Sequence, residues 1–330
     1  MEKQLIQYSG AVPDVIRKRL YSELPDGFEL EFLNEKKDPK EKEESLKKTS
    51  YIMGFPRGFT EEMRMAPHLK LVQLLSAGYD SFDVATATEL GIPVANNGGA
   101  NSVAVAEHSV LLILALYKKL NKHTSGLKEG KWVRDEDHPL SMYELSGKEV
   151  GIVGFGNIGK GIARRLKGFD AKLSYYDVIR FPELEEELDI EFCSIEEILK
   201  KSDIISLHVP FLKSTENMIS EKQLKMMKKN AILINTARGE LVDEEALYTA
   251  LKEKWIAGAG LDVFRRERDV ARGTYSTPLT SLDNAIITPH YAGHTYDTWL
   301  RRIEKGYENI VRTAKGERPN WVVNRKIYSD

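Results

Sequence analysis

Val150-Gly151-Ile152-Val153-Gly154-Phe155-Gly156-Asn157-Ile158-Gly159 is the stretch on which the reading of the fold turns. A short apolar run suited to a strand ends in three glycines spaced G-x-G-x-x-G, and Lys160 to Lys167 continues in helical pattern. Glycines so placed allow a tight turn, a close approach of backbone to a pyrophosphate, and close packing of helix on strand. The helix N-terminus adds amide donors and a favourable dipole. Alone the pattern is weak. Here it follows a strand and opens a helix, and Asp177 closes the next apolar run, the position from which a carboxylate accepts hydrogen bonds from adenosine ribose hydroxyls. The stretch therefore predicts a dinucleotide turn at Gly154, Gly156, Asn157, Ile158 and Gly159, with Asp177 favouring NAD over NADP. Arg180 stands three residues later, either as a partner for a 2′-phosphate or as a solvent-facing side chain.

Outward from this turn, apolar runs recur at Leu173 to Tyr176, Ile204 to Val209, Ala231 to Ile234, Ala257 to Leu261 and Ala285 to Thr288, mostly separated by helical stretches. Such alternation implies parallel strands with right-handed crossovers, a doubly wound α/β sheet whose ligands sit at the carboxyl ends of the strands. In the first hundred residues, Leu69 to Leu75 and Ile92 to Ala95 read as strands around a helix from Phe82 to Leu90 closed by Gly91. Ser102 to Leu120, with Asn101 and Ser102 suited to its cap, is apolar nearly all round and reads as a covered helix. Asn121 to Lys148, with Trp132, Pro139 and Tyr143, reads as an arm or loop, either connector or dimer contact. Asn34 to Lys48 alternates in charge and reads as a solvated helix face.

The 330 residues suggest about two domains. Hydrophobic residues at 42% and charged residues at 30% are ordinary globular usage, which argues against a disordered or fibrous chain. A formal charge of −2 gives no global pull toward nucleic acid or an anionic membrane. The longest strongly apolar run, Val110 to Tyr117, is far short of the roughly 20 residues that span a bilayer. A single cysteine, Cys193, makes no internal disulfide and no thiolate metal site, and no histidine or carboxylate spacing suggests a metal. Met1 to Tyr8 lacks the apolar stretch of a signal peptide, so a reducing, cytoplasmic setting is expected.

Three chemistry-bearing side chains follow strand ends in the same half of the chain. Arg238 lies in Asn235-Thr236-Ala237-Arg238-Gly239, Glu267 five residues after Asp262, and His290 in Thr288-Pro289-His290-Tyr291-Ala292-Gly293. Reduction of a 2-keto acid needs a cation to orient the carboxylate and polarise the carbonyl, for which the arginine fork is well shaped. It also needs an acid near neutral pH, for which histidine is suited, and a carboxylate on the second imidazole nitrogen orients the ring. Arg238, His290 and Glu267 are the candidates for these roles.

With these residues, the chain resembles the D-isomer-specific 2-hydroxyacid dehydrogenases. The resemblance rests on the glycine turn with Asp177, His208-Val209-Pro210 with Thr215 downstream, Thr236-Ala237-Arg238-Gly239, Asp262-Val263-Phe264 and Pro289-His290-Tyr291-Ala292-Gly293. Ser76-Ala77-Gly78-Tyr79-Asp80 and Ala104-Val105-Ala106-Glu107-His108 extend it over nearly the whole chain. It implies a Rossmann cofactor domain over 101–296 and a smaller flavodoxin-like α/β substrate domain from 1–100 and 297–330, with the active site in the cleft. It implies NAD held by the glycine turn, Asp177, His208, Val209, Pro210, Thr215, Thr236, Ala237, Arg238, Asp262, His290 and Gly293. It further implies a 2-hydroxy or 2-keto acid held by Ser76, Ala77, Gly78, Arg238 and His290, and a homodimer. Some members of the superfamily are transcriptional corepressors, so an NAD(H)-sensing scaffold stands as the alternative.

Two departures bear on substrate. Arg265 and Arg268 stand where many relatives carry an acidic residue and a proline, and with Arg266 and Arg272 they make a basic loop, either solvated surface or a rim that attracts a dianion. Many relatives carry an arginine near Gly54; here Arg57 reaches the pocket from another offset, or the pocket is more apolar. Glu267, where formate dehydrogenases of the superfamily carry glutamine, argues against that branch. His208 reads as scaffolding beside the cofactor and His108 as a satisfied core histidine. His68, His123 and His138 have no nameable partner, His294 and Tyr291 are candidates for substrate or partner contact, and Cys193 reads as inert packing.

Overall fold

The computed structural model describes residues 3–33, 38–133, 141–265, 267 and 275–328, so Asn34, His138, Pro139, Arg266, Arg268 and Arg272 lie outside the described residues. The chain divides into two compact units, Met1–Asn101 with His294–Asp330, and Ser102–Gly293.

In the first unit β1 (Gln4–Ser9), α1 (Asp14–Ser22), β2 (Phe28–Phe32), α2 (Pro39–Lys48), β3 (Thr49–Gly54), α3 (Thr60–Arg64), β4 (Leu71–Leu74), α4 (Val84–Glu89) and β5 (Val94–Ala95) follow one another. The strands are parallel in the order β2-β1-β3-β4-β5, the flavodoxin-like arrangement. The sequence signals β4, α4 and β5 but not β1 to β3. β1 reads Gln-Leu-Ile-Gln-Tyr-Ser, and its central Gln7 is fully buried because its amide donates to Glu31 Oε2 at 2.9 Å and to Ser45 Oγ. A buried polar residue, its amide nitrogen bonded to Glu31 on β2 and Ser45 on α2 while its Oε1 has no partner among the described residues, thus interrupts the apolar pattern of an interior strand.

The second unit comprises α5 (Ser102–Tyr117), α6 (Leu120–Lys128), β6 (Glu149–Val153), α7 (Asn157–Lys167), β7 (Lys172–Tyr176), α8 (Pro182–Leu188), β8 (Ile190–Phe192), α9 (Ile195–Lys201), β9 (Ile204–Leu207), α10 (Glu221–Met226), β10 (Ile232–Asn235), α11 (Glu244–Lys252), β11 (Gly258–Leu261) and β12 (Ala285–Ile287). Its seven parallel strands run β12-β11-β10-β9-β6-β7-β8, the doubly wound Rossmann order with one strand added at the β12 edge. β9, β10 and β11 are buried at every residue, as strands covered on both faces must be. The order reverses between β6 and β9, which makes their carboxyl ends the switch point. The chain then returns to the first unit as α12 (Tyr296–Ala314), whose Gly306 lies so close to β3 that a Cβ there would meet Met53 Sδ at 2.9 Å.

Three sequence expectations are corrected. The covered helix stops at Tyr117 rather than Leu120, because Lys119 takes a left-handed φ of 49°. The segment after it is not all arm or loop: α6 occupies Leu120–Lys128, its end closed by Lys131 N donating to Gly126 O at 2.8 Å. The polar run Asn121 to Ser125 conceals that helix from an apolar-pattern reading. The expected strand at Ile204 to Val209 ends at Leu207, leaving His208 and Val209 in the loop beyond it.

α5 rests on β11 through glycines. A Cβ at Gly260 would stand 3.0 Å from both Leu112 Cβ and Ile234 Cδ1, and one at Gly258 would meet Leu116 Cδ2 at 3.3 Å. Gly260→Val is therefore expected to cost about 1–3 kcal/mol by overpacking, read as a fall of several degrees in Tm. An unchanged melting curve would show that α5 is not packed this tightly.

Candidate active site

β6 delivers the chain to Gly154 at φ 98°, and α7 starts after Gly156, which supplies no side-chain cap. The first amides of α7 thus have no intrahelical acceptor. A Cβ at Gly154 would meet the His208 carbonyl carbon at 2.6 Å, and one at Gly159 would meet Gly154 O at 2.2 Å. At Gly156, by contrast, nothing lies within 4 Å. The outer glycines therefore serve close packing, and the middle one leaves open space before a row of amides. That cradle fits a dinucleotide pyrophosphate.

Asp177 follows β7; its Oδ2 accepts from Phe155 N at 2.6 Å and its Oδ1 from Ile179 N at 3.1 Å, which fixes the carboxylate beside the glycine turn. Arg180 is engaged by Glu185 in a two-pronged pair, Nε to Oε1 at 2.9 Å and Nη2 to Oε2 at 2.8 Å. On the other side of the switch point, His208 Nε2 meets Ser206 Oγ at 2.7 Å, while its buried Nδ1 has no partner among the described residues. Val209 is half-buried and Pro210 exposed. The hydroxyl of Thr215 lies 2.9 Å from Pro210 O and accepts from Leu212 N at 2.8 Å, so it pins this loop.

Beyond β10, Asn235 folds the next turn: its Nδ2 donates to Arg238 O at 2.8 Å and its Oδ1 accepts from Ala237 N at 3.1 Å. Gly239 abuts the loop after β11 so closely that a Cβ would stand 2.0 Å from Phe264 C. This contact brings the half-buried Arg238 beside the segment carrying Glu267. His290 N donates to Asp262 O at 2.7 Å, and His290 holds a left-handed φ of 54°. Its Nδ1 lies 2.6 Å from Glu267 Oε1, while Glu267 Oε2 accepts from Phe264 N at 3.1 Å. Burial opposes ionisation of Glu267, but the hydrogen bond and charge of His290, the Phe264 amide and the Arg238 guanidinium outweigh it and hold the carboxyl below the usual range. His290 Nε2 has no protein partner among the described residues, and the side chain is 48% exposed.

Asp262 is 1% exposed. Its Oδ1 accepts from Thr288 Oγ1 at 2.5 Å and Tyr291 N at 2.7 Å, and its Oδ2 from Ala292 N at 2.9 Å. Gly293 is buried directly after these donors. Thr288 also meets His108 Nε2 at 3.0 Å, and Ser109 Oγ meets Thr236 Oγ1 at 3.0 Å. No local pattern signals these pairings, since their partners lie more than a hundred residues apart in sequence.

In the first unit, Asn97 N donates to Ser76 O at 3.0 Å, Asn96 Nδ2 to Ala77 O at 3.0 Å and Ser76 Oγ to Gly78 O at 2.7 Å. The carbonyls of this loop are thus occupied. Arg57 is exposed. Arg265 bonds Asn217 Oδ1 at 2.6 Å and stands 3.7 Å from Glu216, so its guanidinium has local partners. Cys193 is buried in the core with Lys201 Nζ 2.9 Å from its sulfur. His123 and His294 engage other groups, and Tyr291 exposes its ring. Among the described residues no cluster of His, Cys, Asp or Glu is placed to hold a metal, and no helix is long and apolar enough to cross a membrane.

The family model for the D-isomer specific 2-hydroxyacid dehydrogenase, NAD binding domain, matches residues 110–292. The glyoxylate reductase of Thermococcus litoralis is 44% identical over 273 residues, covering 82% of this chain and 81% of that one. The glyoxylate reductase of Korarchaeum cryptofilum is 38% identical over 318 residues, 94% of each. The NAD-complexed D-isomer specific 2-hydroxyacid dehydrogenase of Lactobacillus delbrueckii ssp. bulgaricus superposes with a TM-score of 0.81 at 29% identity, over 97% of this chain and 100% of that one. The chain belongs to the D-isomer specific 2-hydroxyacid dehydrogenase family, and it is an NAD-dependent oxidoreductase of 2-hydroxy and 2-keto acids.

Burial pushes the His208 imidazole down to about 3 from its ordinary 6.5. Between those values the unfolded chain binds the extra proton, so this group's contribution to stability is full above about pH 6.5 and falls as the pH drops toward 3. His208→Gln should therefore lose stability less steeply than the parent between about pH 7 and pH 4.5, read from urea midpoints. Parallel slopes would refute a neutral, buried imidazole.

Proposed function

We propose that Arg238, Glu267 and His290 form the catalytic centre of a reductase for small 2-keto acids, with glyoxylate as the first substrate to test. The observation that carries this reading is the His290–Glu267 pair at 2.6 Å with the opposite imidazole nitrogen left for a substrate. The glycine turn would hold NADH, which when bound would supply the hydride. Arg238 binds the substrate carboxylate through its fork and draws electron density from the adjacent carbonyl. His290 Nε2 gives its proton to the carbonyl oxygen as charge develops there. Glu267 holds the ring in place and balances the imidazolium before transfer. With its side chain 48% exposed, His290 can take a replacement proton from water.

The amides of Ser76, Ala77 and Gly78, on a loop whose carbonyls are already bonded, offer further donors to a carboxylate. This supports 1–100 with 297–330 as the substrate domain and 101–296 as the cofactor domain. NAD contacts are assigned to the glycine turn, Asp177, His208, Val209, Pro210, Thr215, Thr236, Ala237, Asp262 and Gly293. Glu185 occupies the Arg180 guanidinium, which supports NAD over NADP. The protein is placed in the cytoplasm as a homodimer. Exposed Leu120 and Leu127, seven residues apart on α6, with exposed Trp132 beyond them, give the arm an apolar surface suited to a second copy.

The test follows NADH oxidation at 340 nm with glyoxylate, hydroxypyruvate, pyruvate and phenylpyruvate. Arg238→Ala is expected to lower kcat/KM by about a hundredfold or more, since bonds between charged groups contribute about 1.5–3 kcal/mol each. His290→Asn is expected to lower kcat by about 10²–10⁴-fold. Tight NADH binding without turnover of any keto acid in the parent would overturn the reading in favour of an NAD(H)-sensing scaffold.

A further inference from the structure

Two adjacent residues of α5, His108 and Ser109, reach the two loops to which the catalytic roles are assigned. Thr288 Oγ1 donates its one proton to Asp262 Oδ1 at 2.5 Å. It can then only accept from His108 Nε2, 3.0 Å away, which places a proton on Nε2 of that ring. The chain of donors runs from His108 through Thr288 to Asp262, and the same carboxylate takes the amides of Tyr291 and Ala292 at 2.7 and 2.9 Å. These are the residues directly after His290, whose φ of 54° persists only if its surroundings over-determine it. Ser109 is fully buried; its Oγ lies 2.9 Å from Val105 O and 3.0 Å from Thr236 Oγ1, two residues before Arg238.

We propose that His108 and Ser109 are positioning residues for catalysis: from successive places on one helix they set the His290 loop through Thr288 and Asp262 and the Arg238 loop through Thr236. A helix is the stiffest element available for that purpose, and α5 is held against the sheet by close contacts such as that of Leu112 with Gly260. The two loops thereby keep a common reference, and a displacement of about 1 Å in either is enough to cost on the order of 10²-fold in rate. The titratable groups facing His108 are Asp262, 3.7 Å from Nε2, and no other charged group within ion-pair distance among the described residues. The proposal rests on the roles assigned above to Arg238 and His290.

The test compares His108→Leu, His108→Gln and Ser109→Ala in the full chain, with Tm and NADH affinity measured beside glyoxylate kinetics. His108→Leu is expected to lower kcat at least tenfold with NADH affinity within threefold of the parent, and His108→Gln, whose Nε2 can still donate to Thr288, to recover most of that loss. Ser109→Ala is expected to act chiefly on KM for the keto acid, through the Arg238 loop. A fall in Tm with kcat and KM unchanged in the folded variants would overturn the proposal, as would His108→Gln and His108→Leu being equally impaired. Should the variants fail to fold, ring ¹⁵N NMR of the parent decides: a protonated Nε2 on His108 supports the donor chain, and a neutral ring protonated at Nδ1 alone refutes it. Failure of the assigned roles reads differently, as turnover retained in His290→Asn or Arg238→Ala.

Discussion

The buried carboxylate of Asp262 is the constraint around which the site is arranged. An ion removed from water in this way costs several kcal/mol unless its oxygens are satisfied. Here Thr288 Oγ1 and the Tyr291 and Ala292 amides supply three donors within 2.9 Å, and Asp262 O also takes the His290 amide. Freeing any of these donors leaves charge buried and short of partners, so the loop from Thr288 to Ala292 has little freedom to move. A non-glycine residue at positive φ costs on the order of 1–3 kcal/mol, and His290 is kept there by bonds on both sides of it. The direction of its ring is thus a consequence of backbone bonding around Asp262 before Glu267 contributes.

Glycine decides how closely the remaining pieces approach. At Gly239 the backbone after β10 lies against Phe264 and Arg265, and any side chain would push the Arg238 loop off the Glu267 segment. At Gly154 the same device joins the ends of β6 and β9, the two strands between which the sheet order reverses. The cofactor cradle and the charged cluster therefore belong to one sheet edge, and their spacing is set by rigid strands rather than by long side chains.

Much of this was legible in the sequence because local rules carry it. The glycine turn and the regular apolar runs from Val150 onward are each written over a few residues, and the second sheet follows from them. β1 was hidden because the buried Gln7 breaks its apolar pattern, its amide nitrogen bonded to Glu31 and Ser45. β8 is three residues long and α6 begins in a polar run, so neither offers a periodic signal. Arg238, Glu267 and His290 could be named from residue type and strand ends, but that Glu267 meets Nδ1 rather than Nε2 depends on loop geometry. The pairings of His108 with Thr288 and Ser109 with Thr236 join residues 180 and 127 apart, which no local pattern encodes.

Two carboxylate residues engage His290, Asp262 through its backbone and Glu267 through its side chain, and their surroundings differ. Asp262 accepts from backbone amides and a hydroxyl, with His108 Nε2 3.7 Å away, so its bonds hold the backbone of the loop. Glu267 spends one oxygen on the Phe264 amide and the other on His290, the one partner in the set whose charge can change there. Arg238 favours the charged form of Glu267 from outside that pair. The two carboxylates are therefore divided by burial: Asp262, almost without access to water, holds the backbone of the loop, and Glu267, with partial access, meets the ring of His290.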